Sequence, residues 1–599
     1  MIFSALYELY HRLEGDPDYE IAPPGRSYQK VSFVVVLNPD GSLFEIQDAR
    51  QPQGKKLLPR RVLVLGSTKP SGSGYNPCFL WDSPAYLLGW DPQKPTRAKQ
   101  AFEAFRTKHL ALEKDINIPA YSAVCRFLER WQPERAAEFP ILEDVGTGFG
   151  VFQIRGEMHF VHEEPEIVKF VEQHPEIVEW EHEEGDSPKA SKPAMTGQCL
   201  ITGDFGPIAR LHPKVKGVAN AQPSGATIAG FNKDAYWSYG LEQSFNSPVS
   251  KEAAHRYITA LNALLEGPKR EKHRLVVGNT TVAFWTERPT PTEDVFVAFA
   301  AEGSDALASE LAQDEAVRAK LEAFLKALRQ GRQAYAELEE NPEGTGYFIL
   351  GLAAPTPARI AVRFFHRGTL AELLANLRRH YEHIAIERRF GDSAKRPDPE
   401  FPSVRLLLRE TAREEQDIPP LLSGKLLETI VTGARYPEGL FSAVMRRIAT
   451  DRVINYARAC ILKGYLVRNL RKEVPMSLDT TRQDPAYRLG RLFAALEKTQ
   501  QDALEGINST IRDRFYASAS ATPATVFPRL LRTYQHHLAK LEPGHRINRE
   551  KLVQEILAPL NEIPAYLGLA EQALFALGYY HQMNAFFTRR AEHSESAGV

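Results

Sequence analysis

The 599 residues, 43% of them hydrophobic, suffice for several packed cores, roughly three to four domains at about 150 residues each. A charged fraction of 25% with a formal net charge of −1 excludes a disordered polyelectrolyte and an overtly basic nucleic-acid binder. Four widely spaced cysteines, Cys78, Cys125, Cys199 and Cys460, argue against a disulfide framework or a cysteine zinc site and fit a reducing cytoplasm.

The opening segment MIFSALYELYHRLEGDPDYE reads as a short amphipathic helix without the apolar stretch and cleavage site of a signal peptide. No run of about 18 apolar residues predicts a membrane span. Ser32 to Leu37, the turn Asn38-Pro-Asp-Gly41 and Ser42 to Ile46 read as strand, turn, strand. Val62 to Leu65 is a further strand, followed by a glycine-rich loop from Lys69 to Asn76. Arg97 to Lys114 and Ala120 to Trp131 carry helical spacing. Strands are expected at Thr280–Trp285, Val295–Phe299, Tyr347–Leu352 and Arg359–Phe365, with helices at Asp305–Arg329 and Leu370–Arg388.

Beyond about Asp398 no convincing strand appears, and glycine and proline punctuate 3.6-period segments. Helices are expected at Ser403–Glu415, Pro420–Thr432, Pro437–Lys472, Pro485–Gly506, Thr522–Leu541, Arg546–Leu560 and Pro564–Arg590. The expected fold is an α+β N-terminal and middle region followed by an all-α C-terminal helical bundle. The corresponding domains are 1–190, 191–398 with candidate duplex-sensing loops, a basic helical linker region 399–475, and a C-terminal bundle 476–599.

Charge is unevenly placed. Val151 to Ser187 holds eleven acidic and two basic residues. From Ala190 to Asp234 the sign reverses, with Lys192, Arg210, Lys214, Lys216 and Lys233 against Asp204 and Asp234. Arg435 to Lys472 holds nine basic residues and two acids, a stripe able to track phosphates or simply a solvated helix face. Arg210 to Asn232 alternates cations, amides and glycines, which suits either an ordinary surface loop or close approach to base edges.

Signs of catalysis are sparse. The Lys69–Asn76 loop is not a phosphate-binding Walker loop, and Ser423-Gly-Lys-Leu426 lacks the metal-binding hydroxyl. His162-Glu-Glu-Pro-Glu166 lacks the second histidine of a zinc protease. The acids from Glu163 to Asp186, including Glu181 and Glu183, leave a metal-dependent nuclease open as an alternative to solvated surface. His536-His537 and the absence of a Gly-x-Ser-x-Gly elbow add nothing catalytic, and no cofactor or metal is expected.

Several ordered motifs carry a resemblance: Gly74 to Gly89 (GYNPCFLWDSPAYLLG), Cys199 to Val218, Ser224 to Asn232 (SGATIAGFN), Ser238 to Val249, Val277 to Trp285 (VGNTTVAFW), Pro485 to Phe493 and Ser518 to Pro523. Together the chain resembles the large subunit of the type I-C CRISPR Cascade complex. The resemblance implies a non-catalytic component of an RNA-guided DNA surveillance complex. In it, guide pairing reads sequence, and protein reads a short protospacer-adjacent motif (PAM) on duplex DNA. Implied partners are the guide RNA ribonucleoprotein, target double-stranded DNA, the Cascade backbone and RNA-processing subunits, and a helicase–nuclease. A further implied partner is a small subunit translated from an internal start, for which Met476 leaves whole helices intact. The expected location is the cytoplasm.

Two sets of candidate residues follow. Lys69, Asn76, Lys214, Lys216, Gln222 and Asn232 are expected at the PAM duplex, where minor-groove reading suits lysine, amides and close glycine backbone. Arg446, Arg447, Arg452, Arg458, Lys463, Arg488, Arg491, Arg512 and Arg514 are expected along single-stranded DNA. Arginines near helix ends also satisfy carbonyls and pair with acids such as Asp451 and Asp484. A purely structural scaffold remains the third reading.

Overall fold

The computed structural model describes residues 1–53, 56–67, 74–178, 195–231, 233–293, 296, 343–388, 398–504 and 506–596. They fall into two compact units. One comprises Phe3–His212 with Phe231–Ala260; the other comprises Met1–Ile2, Pro213–Gly230 and Leu261–Val599.

The first unit is built on strand Arg26–Leu37. Phe33, Val35 and Leu37 enter a core with Phe102, Phe105, Tyr121 and Leu128 from helices Pro95–Ile116 and Pro119–Arg130. Val34 and Val36 point to the opposite face, toward Val62, Val64, Trp81 and Val151. Burial on both faces explains why SFVVVL is a continuous apolar run rather than an alternation. The strand pairs antiparallel with Leu43–Asp48 and Arg60–Leu65, and parallel with Phe149–Ile154, which in turn pairs with Trp81–Asp82. At the expected turn, Gly41 takes φ +85° and lies so close to helix Pro119–Arg130 that a Cβ would meet the Arg126 Cβ at 2.7 Å. Strand Phe149–Ile154 was not foreseen; it begins where the acidic stretch begins, and the acids gather after it.

The second unit opens with a four-stranded antiparallel sheet in the order Arg274–Val277, Thr280–Thr286, Gly346–Thr356, Arg359–Thr369. Helix Leu370–Ile384 follows, with Thr369 and Glu372 forming a capping box. Of the strand expected at 295–299 only Phe296 is described. It is helical and stacks on Phe284 at 3.9 Å, because Pro291 follows Thr290, whose carbonyl accepts the Glu293 amide. The expected helix Asp305–Arg329 lies outside the described residues.

From Val404 onward the chain is helical: Val404–Arg409, Pro420–Thr432, Glu438–Asp451, Tyr456–Leu470, Pro485–Ala503, Ile511–Ala521, Pro523–Leu538, Pro543–Leu557 and Leu569–Ser596. The α+β region followed by a helical bundle is therefore the observed fold class. Ile511–Ala521 was not anticipated. The single helix expected over Pro437–Lys472 is two: Arg452 ends the first with φ +57°, and the Asn455 side chain caps the second by accepting from the Arg458 amide at 2.9 Å. No described helix is long and apolar enough to cross a membrane.

The units do not divide at 190, 398 or 475. One hydrophobic core runs from Leu275 and Phe284 in the sheet through Leu377, Ile430 and Leu462 to Phe575 and Met583 in the last helix. Exposed Met476 lies between two helices as expected, and its carbonyl accepts from the Glu387 amide at 2.8 Å.

Candidate nucleic-acid interface

The Pro213–Gly230 segment folds back on itself where Val215 and Ala226 exchange two backbone hydrogen bonds of 2.9 and 2.8 Å. The fold-back needs Gly225 at φ +90°, where a Cβ would meet the Lys214 Cβ at 2.8 Å. The Asn262 amide clamps one arm, donating to the Lys214 carbonyl (3.1 Å) and accepting from the Lys216 amide (2.8 Å). Arg274 Nε donates to the Gly217 carbonyl at 2.9 Å. The other arm is laced to the hairpin turn before strand Arg359–Thr369. Gln222 N donates to Pro357 O, Thr227 N to Ala358 O, and Ile360 N to Thr227 O, at 2.9 to 3.0 Å.

The result is a rigid loop with half-buried Lys214 and Lys216, beside a strand that exposes Arg359, Arg363 and Arg367. Those three arginines were not foreseen as site residues, because exposed arginines on a sheet strand read the same whether they meet water or phosphate. Gln222 has a narrower role than expected: its Nε2 donates to the Gly225 carbonyl at 2.8 Å and closes the loop. Lys69 and Asn232 lie outside the described residues. Asn76 is exposed in the other unit, after an exposed Tyr75 that lies under the Arg97 guanidinium at 5.6 Å and donates to Gln100.

The helical set divides by burial. Arg458 is enclosed, its Nε on Glu410 and its Nη2 on Asp451 at 2.7 Å each, with Nη1 on the Val453 carbonyl. Lys463 donates to the Ala385 carbonyl and its pKa is lowered by burial. Arg488 is 2% exposed and reaches the Glu555 and Ile556 carbonyls at the end of helix Pro543–Leu557. Arg491, wholly buried, binds Gln582 and Glu555. These four are fixed inside the protein, so none is placed to meet a phosphate in this conformation.

Arg447 pairs with Asp451 at 2.6 Å, and half-buried Arg512 reaches the Tyr579 hydroxyl and Glu497. Arg446, Arg452 and Arg514 remain exposed. A count of charges along a helix does not tell which face is outward, and here much of the positive charge faces inward.

A second cationic stripe lies on the helical end. Between Asp513 and Glu542 the chain has no acidic residue. Within that span Arg529, Arg532, His536 and Lys540 are all exposed on or just past helix Pro523–Leu538. Spacings of three, four and four residues put them on one face over about 16 Å. The Arg529 guanidinium lies over the Phe515 ring at 5.3 Å. Exposed Arg514 stands on the preceding helix, Ile511–Ala521. Cations on a single rod face, with no acid on the same helix, could track a phosphate backbone. The acid-free interval was the readable signal; it holds fewer cations than the run from Arg435 to Lys472.

The acidic region gives no comparable constellation. Glu163 caps the Phe160 amide at 2.8 Å and Glu164 holds His159 at 2.9 Å, raising the histidine pKa through that hydrogen bond. Glu181, Glu183, Glu184 and Asp186 lie outside the described residues. Among the described residues no group of three or more His, Cys, Asp or Glu side chains is placed to hold a metal ion.

Residues 6–587 match the family model of the CRISPR-associated protein Cas_Csd1. No curated protein matches the chain at a significant level. The match covers nearly the whole sequence, including both units and the helical end. The chain belongs to the CRISPR-associated Csd1 family, the large-subunit family of type I-C Cascade that its ordered motifs resemble.

Proposed function

We propose that this chain is the non-catalytic large subunit of a type I-C RNA-guided DNA surveillance complex, recognising the PAM duplex and holding single-stranded DNA during R-loop formation. Membership of a CRISPR-associated family supports a role in CRISPR–Cas defence and a place in a multi-subunit complex. The observation that carries the DNA-holding part is the exposed, acid-free stripe from Arg514 to Lys540. The rigid Pro213–Gly230 loop beside Arg359 and Arg363 is the best-supported duplex contact in this reading, with Lys214 and Lys216 toward phosphate. Asn76, in the other unit, stays in the duplex set on its exposure alone.

In this proposal the chain assembles with the guide RNA ribonucleoprotein and the backbone and RNA-processing subunits, and helps recruit the helicase–nuclease, in the cytoplasm. A small helical subunit starting at Met476 and ending at Val599 belongs to the same proposal; a Met476→Leu change should abolish that shorter product on a denaturing gel.

Photocrosslinking the assembled complex to a PAM-bearing target tests the reading. Crosslinks are expected from duplex DNA to the Pro213–Gly230 loop and from single-stranded DNA to helix Pro523–Leu538. DNA crosslinks confined to other subunits would reduce this chain to a scaffold. Incubating the purified chain with DNA and Mg²⁺ or Mn²⁺ separates the nuclease alternative. No cleavage is expected, and cleavage abolished by replacing Glu181 and Glu183 would overturn the non-catalytic assignment.

A further inference from the structure

One exposed turn is built against conformational preference. Ser238 and Leu241 close a tight hairpin turn, with the Leu241 amide on the Ser238 carbonyl at 2.9 Å. Its two central residues, Tyr239 and Gly240, take φ +53° and +72°. Such a turn favours Asn-Gly, because a positive φ at the first position crowds a bulky side chain. Here the first position is a tyrosine, and it is 99% exposed.

Among the described residues no hydrogen bond or ring contact holds the Tyr239 side chain, yet the turn is held firmly. Asn246 accepts from the Ser238 amide at 2.9 Å and donates to the Leu241 and Gln243 carbonyls at 2.8 and 2.9 Å. Tyr236 and Trp237, on the approach to the turn, are 44% and 42% exposed. Trp237 Nε1 points at the Phe231 carbonyl at 3.4 Å, and Lys233 stands exposed just before them.

The large apolar side chains exposed in Lys233–Gly240 are all aromatic; Lys233 and Asp234 stand beside them, and the one exposed aliphatic residue of the segment is the small Ala235. A protein partner is usually met by aromatic and aliphatic side chains packed into a patch. Flat rings on a braced tip suit the π-face of an unpaired base, which any sequence presents.

We infer that the Tyr236–Tyr239 turn is a stacking platform for unpaired nucleobases, with Tyr239 as its principal ring. The inference rests on the nucleic-acid role proposed above and adds the class of ligand, single-stranded bases rather than duplex. A ring at a rigid tip needs no reordering when a base arrives, so its position is set before binding.

The test uses the full chain, a fluorescein-labelled single-stranded 20-mer and the matching duplex, followed by anisotropy. Tyr239→Ala should weaken single-strand binding about tenfold or more, the size of one lost base stack, and leave duplex binding unchanged. Tyr239→Phe should bind like the parent. Tyr239→Gly relieves the positive φ, so its thermal midpoint should equal or exceed the parent's while affinity falls as in Tyr239→Ala. That combination excludes misfolding as the cause. Trp237 fluorescence should be quenched on adding the single strand.

Unchanged single-strand affinity in Tyr239→Ala, with the parent chain binding well, overturns the platform and leaves the nucleic-acid role intact. Equal loss on single strand and duplex overturns it as well. A parent chain that binds neither DNA overturns both readings. Loss by Tyr239→Ala of association with another subunit of the complex, with single-strand binding retained, would assign the turn to a protein interface instead.

Discussion

Gly490 and Gly578 face each other where helices Pro485–Ala503 and Leu569–Ser596 cross. A Cβ on Gly490 would lie 2.0 Å from the Phe575 carbonyl oxygen, and one on Gly578 would lie 2.1 Å from that of Tyr487. The reciprocal pairing of 487 with 578 and 490 with 575 makes the two helices antiparallel. Both contacts are to backbone, which cannot swing aside as a flexible side chain can.

Gly490→Ala and Gly578→Ala should therefore each destabilise the second unit by about 1–3 kcal/mol or more, despite alanine's better helix propensity. Thermal unfolding checks this. Each single variant should lower the midpoint by several degrees; an unchanged midpoint would mean that the helices are farther apart than described.

Arg458 and Arg529 should respond in opposite ways. Removing the enclosed Arg458 leaves Glu410 with only the Asn455 amide and Asp451 with only Arg447, so Arg458→Ala should cost about 3 kcal/mol of stability, the low end for a broken buried pair. Its folded fraction should bind DNA like the parent. Arg529→Ala and Arg532→Ala should leave the melting midpoint within a degree or two. They should reduce DNA affinity on every sequence, and lower the slope of log affinity against log salt by about 1 per lost phosphate contact. Denaturant titration and salt-series anisotropy on the same preparations decide it.

Acid sensitivity follows from two buried histidines. His109 is fully buried; its Nε2 accepts from the Leu80 amide at 3.0 Å, and its Nδ1 donates to the Phe105 carbonyl at 2.8 Å. Burial pushes its pKa down to about 3, and burial also pushes that of His581 down to about 3. In the unfolded chain both titrate near 6.5, so below that pH the unfolded state binds more protons and stability falls as pH falls. Each contributes a slope of up to about 1.4 kcal/mol per pH unit between roughly pH 6 and the lowered value. His109→Gln keeps one donor and one acceptor, and should make the unfolding free energy less pH-dependent between pH 6 and 4. An unaltered slope would show that other groups govern acid unfolding.

The recognition loop has its own test. Gly225→Ala forces a Cβ onto Lys214 and the Val215 carbonyl at φ +90°, so the Val215–Ala226 pairing should open. Binding to PAM-bearing duplex should fall more in Gly225→Ala than in Lys214→Ala, because the whole loop is displaced rather than one cation. Lys214→Ala should weaken PAM-bearing and PAM-less duplexes alike if its partner is a phosphate; loss on the PAM-bearing duplex alone would make it a base reader.

The fold was readable where local pattern and burial agree. SFVVVL with Asn-Pro-Asp-Gly specified strand and turn, and prolines at positions 420 and 485 marked helix starts. The break at Arg452 was not readable, because an arginine at positive φ has no composition signal and Asn455 looks like any helix surface residue. Nor was the shared core across residue 475, since contacts between distant helices leave no mark on local periodicity. In the candidate interface, residue type was informative and orientation was not. Arg488 and Arg491 lie on a helix buried along most of its length, whereas Arg529 and Arg532 lie on an amphipathic one. Tyr239 was legible only as part of a family motif; its exposure and its strained turn belong to three dimensions.

In the proposed function this chain holds DNA through exposed cations on its helical end. The most direct measurement is R-loop formation by the fully assembled complex on supercoiled target DNA, with Arg514, Arg529, Arg532 and Lys540 all changed to Glu. Normal assembly and a loss of R-loop yield that steepens with salt are expected. An R-loop yield equal to the parent's at the same salt, in a complex of the same composition, would contradict it.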